Sequence, residues 1–129
     1  VIDFGTATTF DVIGENGEYL GGVIAPGVNL SIKILHDMTA QLPKIQVKKQ
    51  DFVIGKSTIE AMNSGIYFGY ISLVGGLINR IKEEYGKEMK VIVTGGLLSI
   101  FENVIPEVNY VEPDLTLEGL RMVYQNNQV

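Results

Sequence analysis

"VIDFGTATTFD", residues 1–11, decides how the rest of the chain is read. An apolar strand begins at Val1, yet it carries Asp3 inside it and runs out into Gly5, Thr6, Ala7, Thr8 and Thr9. A carboxylate in such a strand is costly unless it is hydrogen-bonded or paired with a cation. Gly5 lets the backbone turn sharply, and the small residues after it leave amides and hydroxyls open to an anion. Asp3 would repel a phosphate held there. Either a bound cation lies between the two, or the carboxylate hydrogen-bonds to the protein. A plain hairpin, whose threonines simply favour β structure, is the competing reading.

The surrounding composition is that of one globular domain. The chain has 129 residues, 46% of them hydrophobic and 19% charged, which is enough to bury a core and excludes disorder. A net charge of -5 argues against non-specific nucleic-acid binding, which needs a basic footprint. No cysteine is present, which removes disulfides and thiolate metal sites and suits a reducing cytoplasm. No apolar run approaches the roughly 18 residues that crossing a bilayer requires. Lys44, Lys48, Lys49 and Lys56 cluster, and a solvated turn is the simplest account of them. The chain lacks an initiator methionine and starts directly in a strand pattern, so a fragment of a longer protein is expected.

Three strands are expected first, at residues 1–4, 8–13 and 19–25, with Gly14-Glu15-Asn16-Gly17 as a hairpin turn. Gly21-Gly22 predicts a bulge or a close backbone approach. Pro26-Gly27 opens a helix whose stripe is Val28, Ile32, Leu35, Met38 and Leu42, with Pro43 as its stop and His36 as a surface residue. Residues 45–47 and 52–54 read as short strands, one of them doubtful. Ser57 and Glu60 have capping-box spacing, and a helix follows as far as Gly86. Its four interior glycines, Gly65, Gly69, Gly75 and Gly76, predict close packing on that face. A strand at 90–93, the turn Thr94-Gly95-Gly96, a helix over 97–102, a strand at 108–111 and a helix over 115–125 complete the order. Leu117, Leu120, Val123 and Tyr124 form the expected inner face of that last helix.

Three antiparallel strands followed by alternating helices and strands give a mixed α/β sheet with helices on both faces. This is the arrangement of the ribonuclease H-like half-domain of actin-like ATPases and sugar kinases. Thr94-Gly95-Gly96 sits between a strand and a helix, where amides and a helix dipole favour an anion or nucleotide. Two small-residue turns at the ends of core strands can converge on one nucleotide.

"DFGTATTFD", "GGVIAPG", "IGKSTIEAMNSG", "VTGG" and "LTLEGL" occur in that order over nearly the whole chain. Together they resemble the C-terminal half of a type III pantothenate kinase. The resemblance implies ATP-dependent phosphorylation of pantothenate, the first step of coenzyme A synthesis, by a cytoplasmic homodimer that uses Mg2+ and a monovalent cation, K+ or NH4+. It implies Asp3 as the monovalent-cation ligand and Gly5, Thr6, Thr94, Gly95 and Gly96 around ATP. Thr58 would meet pantothenate, and the helix over 57–86 would carry the dimer contact. Residues 1–129 would be one ribonuclease H-like domain of a two-domain kinase, with the catalytic base and first phosphate loop upstream of Val1. Two alternatives remain at this point: a non-catalytic accessory protein of transcriptional regulation with the same fold, or another kinase of the actin-like superfamily. Neither nucleic acid nor membrane is an expected partner.

Overall fold

A computed structural model describes residues 1–128. Its elements run β1 (Ile2–Phe4), β2 (Ala7–Ile13), β3 (Tyr19–Pro26), α1 (Val28–Asp37), α2 (Thr58–Tyr85), β4 (Ile92–Gly95), α3 (Leu98–Phe101), β5 (Tyr110–Val111) and α4 (Leu115–Asn126). The five strands form one mixed sheet in the order β3-β2-β1-β4-β5. β1 pairs antiparallel with β2 and parallel with β4, so the sheet changes character across β1.

The first hairpin follows its sequence. The Gly17 N–H donates to the Gly14 carbonyl at 3.1 Å, and Gly17 alone in that turn takes a positive φ, 81°. The paired glycines behave as expected of a bulge. The β2–β3 register slips between Val12 and Ile13, with Gly21 at φ 123°, and Gly22 lies against the Phe10 carbonyl.

Alternation in β1 sends Ile2 and Phe4 to one face and Asp3 to the other. Ile2, Phe4, Phe10 and Val93 share one buried cluster with Val28 and Ile32 of α1, with Ile66, Tyr70, Val74 and Ile78 of α2, and with Leu98 and Phe101 of α3. Helices were to be expected on both faces of the sheet, but α1, α2 and α3 feed this single core. α4 buries none of its residues. Its anticipated inner face is outward: Leu117, Leu120, Val123 and Tyr124 are all exposed.

α2 has the ends its sequence announces. The Ser57 hydroxyl accepts the Glu60 N–H at 3.2 Å, the Glu60 carboxylate accepts the Lys56 N–H at 2.7 Å, and Gly86 closes the helix at φ 77°. Its 28 residues include an 18-residue window of mean hydropathy 1.2, long and apolar enough by composition to cross a membrane, which corrects the sequence reading. Half of that window is buried within this domain, as befits the central core helix. The glycines of α2 are a second correction. A side chain on Gly75 would meet Glu107, whereas Gly65, Gly69 and Gly76 face open space.

Between α1 and α2 the sequence misleads. α1 stops at Asp37, a full turn early, and Met38 is exposed. His36 is half-buried rather than free: its Nδ1 donates to the Leu42 carbonyl at 2.8 Å, which folds the following turn back. Residues 45–47 and 52–54 are not strands. α2 side chains meet the backbone here instead of a ladder: the Ser64 hydroxyl donates to the Val53 carbonyl, and the N–H of Lys48, just past 45–47, donates to Asn63 Oδ1 at 3.2 Å.

Candidate functional site

Parallel pairing of β1 with β4 sets Asp3 opposite Thr94 and Phe4 opposite Gly95. Both strands therefore end on the same edge, and the chain leaves β1 and β4 through two adjacent turns. β1 also leads to β2 on one side while β4 lies on the other. In open α/β sheets, the crevice at such a reversal of strand order is where ligands bind.

Gly95 and Asp3 bring β4 and β1 into close contact. A Cβ on Gly95 would stand 2.5 Å from Asp3 Oδ1 and 2.6 Å from the Phe4 nitrogen, and Gly95 has φ 109°. A Cβ on Gly5 would lie 3.4 Å from the same oxygen. The Asp3 carboxylate is thus cradled between two glycines, half-buried, and takes part in no side-chain hydrogen bond or salt bridge among the described residues. A carboxylate is a hard oxygen donor of the kind that alkali and alkaline-earth ions take, so Asp3 could ligate a cation there. No cluster of three or more His, Cys, Asp or Glu occurs among the described residues.

The Gly5–Thr6 turn is held from below. Phe4 stacks on Phe101 with ring centroids 5.0 Å apart, and Tyr67 stacks on the same ring at 6.0 Å. Thr6 is exposed, and its carbonyl packs so closely on the start of α1 that a Cβ on Gly27 would come within 1.9 Å of it. α1 begins there with no side-chain cap and no acidic residue in its first turn, so its positive end is uncompensated. The Gly5 N–H, however, already donates to the Ala7 carbonyl at 3.1 Å and is not free for an anion.

The second turn is arranged differently from its sequence reading. Thr94 is buried, and its hydroxyl donates to the Pro113 carbonyl at 3.4 Å, so it fixes the strand end. Gly96 is exposed with nothing near it. α3 has only four residues, too few for the helix dipole invoked from the sequence.

Asp3, Gly5, Thr6, Thr94, Gly95 and Gly96 therefore share one edge of the sheet. Thr58 does not join them. It starts α2, exposed, and lines an open groove of about 420 Å³ with Leu35, Leu42, Ala61, Met62, Gly65 and Ile66. It lies twelve residues before Tyr70, about 18 Å along the helix axis.

Tyr70 and Ser31 were missed by motif reading. The buried Tyr70 hydroxyl donates to the Pro26 carbonyl at 2.8 Å and meets Ser31 Oγ at 2.6 Å, tying α2 to the start of α1 beside the Thr6 turn. A tyrosine in an apolar helical stripe was the available signal, because its buried hydroxyl must find a partner.

Fold and site together define a mixed α/β domain with two small-residue turns meeting at the carboxyl edge of neighbouring parallel strands. Comparison with known proteins narrows the class. The family described as type III pantothenate kinase matches residues 1–80. This chain belongs to that family. It is 56% identical over 127 residues to a type III pantothenate kinase of Acidiphilium cryptum, covering 98% of this chain and 48% of that protein. The counterpart from Rhodospirillum rubrum is 54% identical, covering 99% of this chain and 50% of its own length. The chain spans about half the length of the curated relatives it matches. Among solved structures, one from Campylobacter jejuni, described as belonging to a Baf family of transcriptional activators, superposes with a TM-score of 0.66 at 25% identity. That match covers 98% of this chain and 56% of the other.

Proposed function

We propose that this chain is the C-terminal, nucleotide-side half of an ATP-dependent pantothenate kinase that makes 4'-phosphopantothenate for coenzyme A synthesis. In this reading residues 1–129 form one ribonuclease H-like domain of the actin-like type. The companion half supplies the catalytic base and the first phosphate loop. The observation that carries the proposal is the cradle of Asp3 between Gly5 and Gly95, on the edge where Thr6 and Gly96 are open to a ligand.

Each residue then has a task. Asp3 holds K+ or NH4+ and so removes the repulsion between its own carboxylate and a nucleotide phosphate. Gly5 and Thr6 keep space beside the β- and γ-phosphates, and the uncapped start of α1 adds positive potential under the Thr6 carbonyl turn. Thr94, Gly95 and Gly96 offer backbone at the second turn. Mg2+ bound with ATP supplies charge neutralisation for the phosphoryl transfer, and this chain's part is to orient the nucleotide. Thr58 meets pantothenate from the apolar groove at the start of α2. The exposed row of Ala61, Gly65, Gly69, Ser72 and Gly76 along α2 permits close approach of a second copy, so the homodimer contact runs through 57–86. A cytoplasmic location completes this reading.

A second reading has one specific observation behind it, the likeness to the Campylobacter jejuni structure with its regulatory description. On that reading the domain binds without phosphorylating.

The experiment compares this chain with a polypeptide of its relatives' length that contains it. Both are assayed with ATP, pantothenate, magnesium and potassium. Turnover is expected from the longer polypeptide only. Turnover by the 129-residue chain at a comparable rate overturns the half-enzyme reading. Ligand binding by the longer polypeptide without phosphorylation favours the regulatory one.

A further inference from the structure

Tyr70 lies on the core side of α2, 6% exposed, and its hydroxyl reaches across to α1. It donates to the Pro26 carbonyl at 2.8 Å and stands 2.6 Å from Ser31 Oγ. A phenol has one proton to give. With that proton committed to Pro26, the contact with Ser31 is made by the serine proton. The bonds therefore run one way, from Ser31 to Tyr70 to Pro26, and each polarises the next.

The two partners bracket Gly27. Pro26 ends β3 and has no N–H, so its peptide link to Gly27 is oriented through the carbonyl that Tyr70 holds. Ser31 lies about one turn into α1, and its own N–H donates to the Gly27 carbonyl at 3.0 Å. The Thr6 turn rests on Gly27. A Cβ there would stand 1.9 Å from the Thr6 carbonyl oxygen and 2.9 Å from that of Gly5. Backbones this close move together. The Tyr70 ring supports the same turn from beneath: it leans on Phe101 at 6.4 Å, and Phe101 stacks at 5.0 Å on Phe4, the residue before Gly5.

We infer that Tyr70, with Ser31, is a positioning residue for the nucleotide. It acts through the backbone, holding the Thr6 turn and the uncapped start of α1 in the arrangement that receives the ATP phosphates. The inference rests on the ATP-dependent reading proposed above and adds to it a residue outside both turns. A turn held in place only part of the time binds with an affinity reduced by that fraction, while its geometry once occupied is unchanged. Loss of the hydroxyl therefore falls on ATP binding and spares the chemical step. Pantothenate binding is spared too, because Thr58 is about 18 Å away along α2.

Steady-state kinetics and equilibrium titration with ATP, on a polypeptide of the relatives' length, test this. Tyr70→Phe keeps the ring on Phe101 and removes only the hydroxyl. It should raise both the KM and the Kd for ATP about fivefold, with kcat and the KM for pantothenate changed less than about twofold. Ser31→Ala should shift the ATP constants the same way by a smaller factor, and Ser31→Thr, which keeps a hydroxyl, should restore them. Ile78→Val is the control. It truncates a buried side chain about two turns further along α2, and it lowers the melting temperature without touching the relay. Its ATP constants should stay at the wild-type values.

A wild-type ATP KM in Tyr70→Phe overturns the inference. So does an equal rise in Ile78→Val, because the hydroxyl then acts through stability alone. Turnover by the wild type separates this from the kinase reading. Turnover with an unshifted Tyr70→Phe defeats the positioning role and spares the kinase. ATP binding that weakens in Tyr70→Phe, where the wild type does not turn over, does the reverse. A wild type that binds no ATP overturns both.

Discussion

Asp3 Oδ1 occupies the space where a side chain on Gly95 would begin, 2.5 Å from the position of its Cβ. Gly95 also has φ 109°, a conformation that residues with a Cβ adopt only under strain. Gly95→Ala is therefore expected to destabilise the domain by about 2–4 kcal/mol, from backbone strain together with displacement of the carboxylate. Gly5→Ala makes the matched control, since its Cβ would meet Asp3 Oδ1 at 3.4 Å, an ordinary contact, and its φ is not positive. Urea unfolding of the two variants should rank Gly95→Ala far below Gly5→Ala. Equal midpoints would mean that the two turns are not in contact.

Asp3→Asn keeps the shape of the side chain and removes its charge. The carboxylate makes no ion pair among the described residues, so the melting curve should hardly change. In the longer polypeptide, activation by potassium should disappear and apparent ATP binding should weaken. The readout is activity against ATP at several potassium concentrations. A wild-type potassium response in the variant makes Asp3 a structural residue.

Tyr70→Phe removes a hydroxyl that serves both the Pro26 carbonyl and Ser31. Ser31 is half-buried and Pro26 exposed, so water can replace the lost partner in part, and the loss should be about 1 kcal/mol in equilibrium unfolding. Because Pro26 immediately precedes Gly27, on which the Thr6 carbonyl packs, hydrogen exchange at the start of α1 should quicken as well. A loss of stability without that local change would detach Tyr70 from the turn.

Thr8 is fully buried, and its Oγ1 has no hydrogen-bond partner. Replacing a buried unsatisfied hydroxyl with a methyl of the same shape removes a desolvation penalty. Thr8→Val is therefore expected to leave stability unchanged or raise it by about 1–2 kcal/mol. A clear decrease in the unfolding midpoint would show that the hydroxyl has a partner in solution.

What the sequence determined by itself lies within short windows. Ser57 and Glu60 predict the start of α2 and Gly86 its end, because a cap is settled within one turn of helix. The turn at 14–17 and the bulge at Gly21-Gly22 follow from backbone preferences of a few residues. Apolar residues at three- and four-residue steps, Ile59, Met62, Ile66, Tyr70, Leu73, Leu77 and Ile81, marked the core side of α2 only in part. Met62, Ile66 and Tyr70 are buried, Leu73, Leu77 and Ile81 are half-buried, Ile59 is exposed, and Val74 and Ile78 are the buried residues farther along. The same signal failed in α4. Periodicity identifies an apolar face and is silent on whether anything in the same chain covers it. Residues 45–47 and 52–54 have strand-like composition, but no neighbouring strand pairs with them, and Asn63 and Ser64 of α2 bond the backbone of Lys48 and Val53 instead. Only the tertiary structure brought Asp3 to Gly95, because a parallel pair joins residues whose separation along the chain carries no local signature. Parallel strands need a long crossover, here the β2–β3 hairpin followed by α1 and α2, and the core that crossover buries sets the register in which the two turns meet.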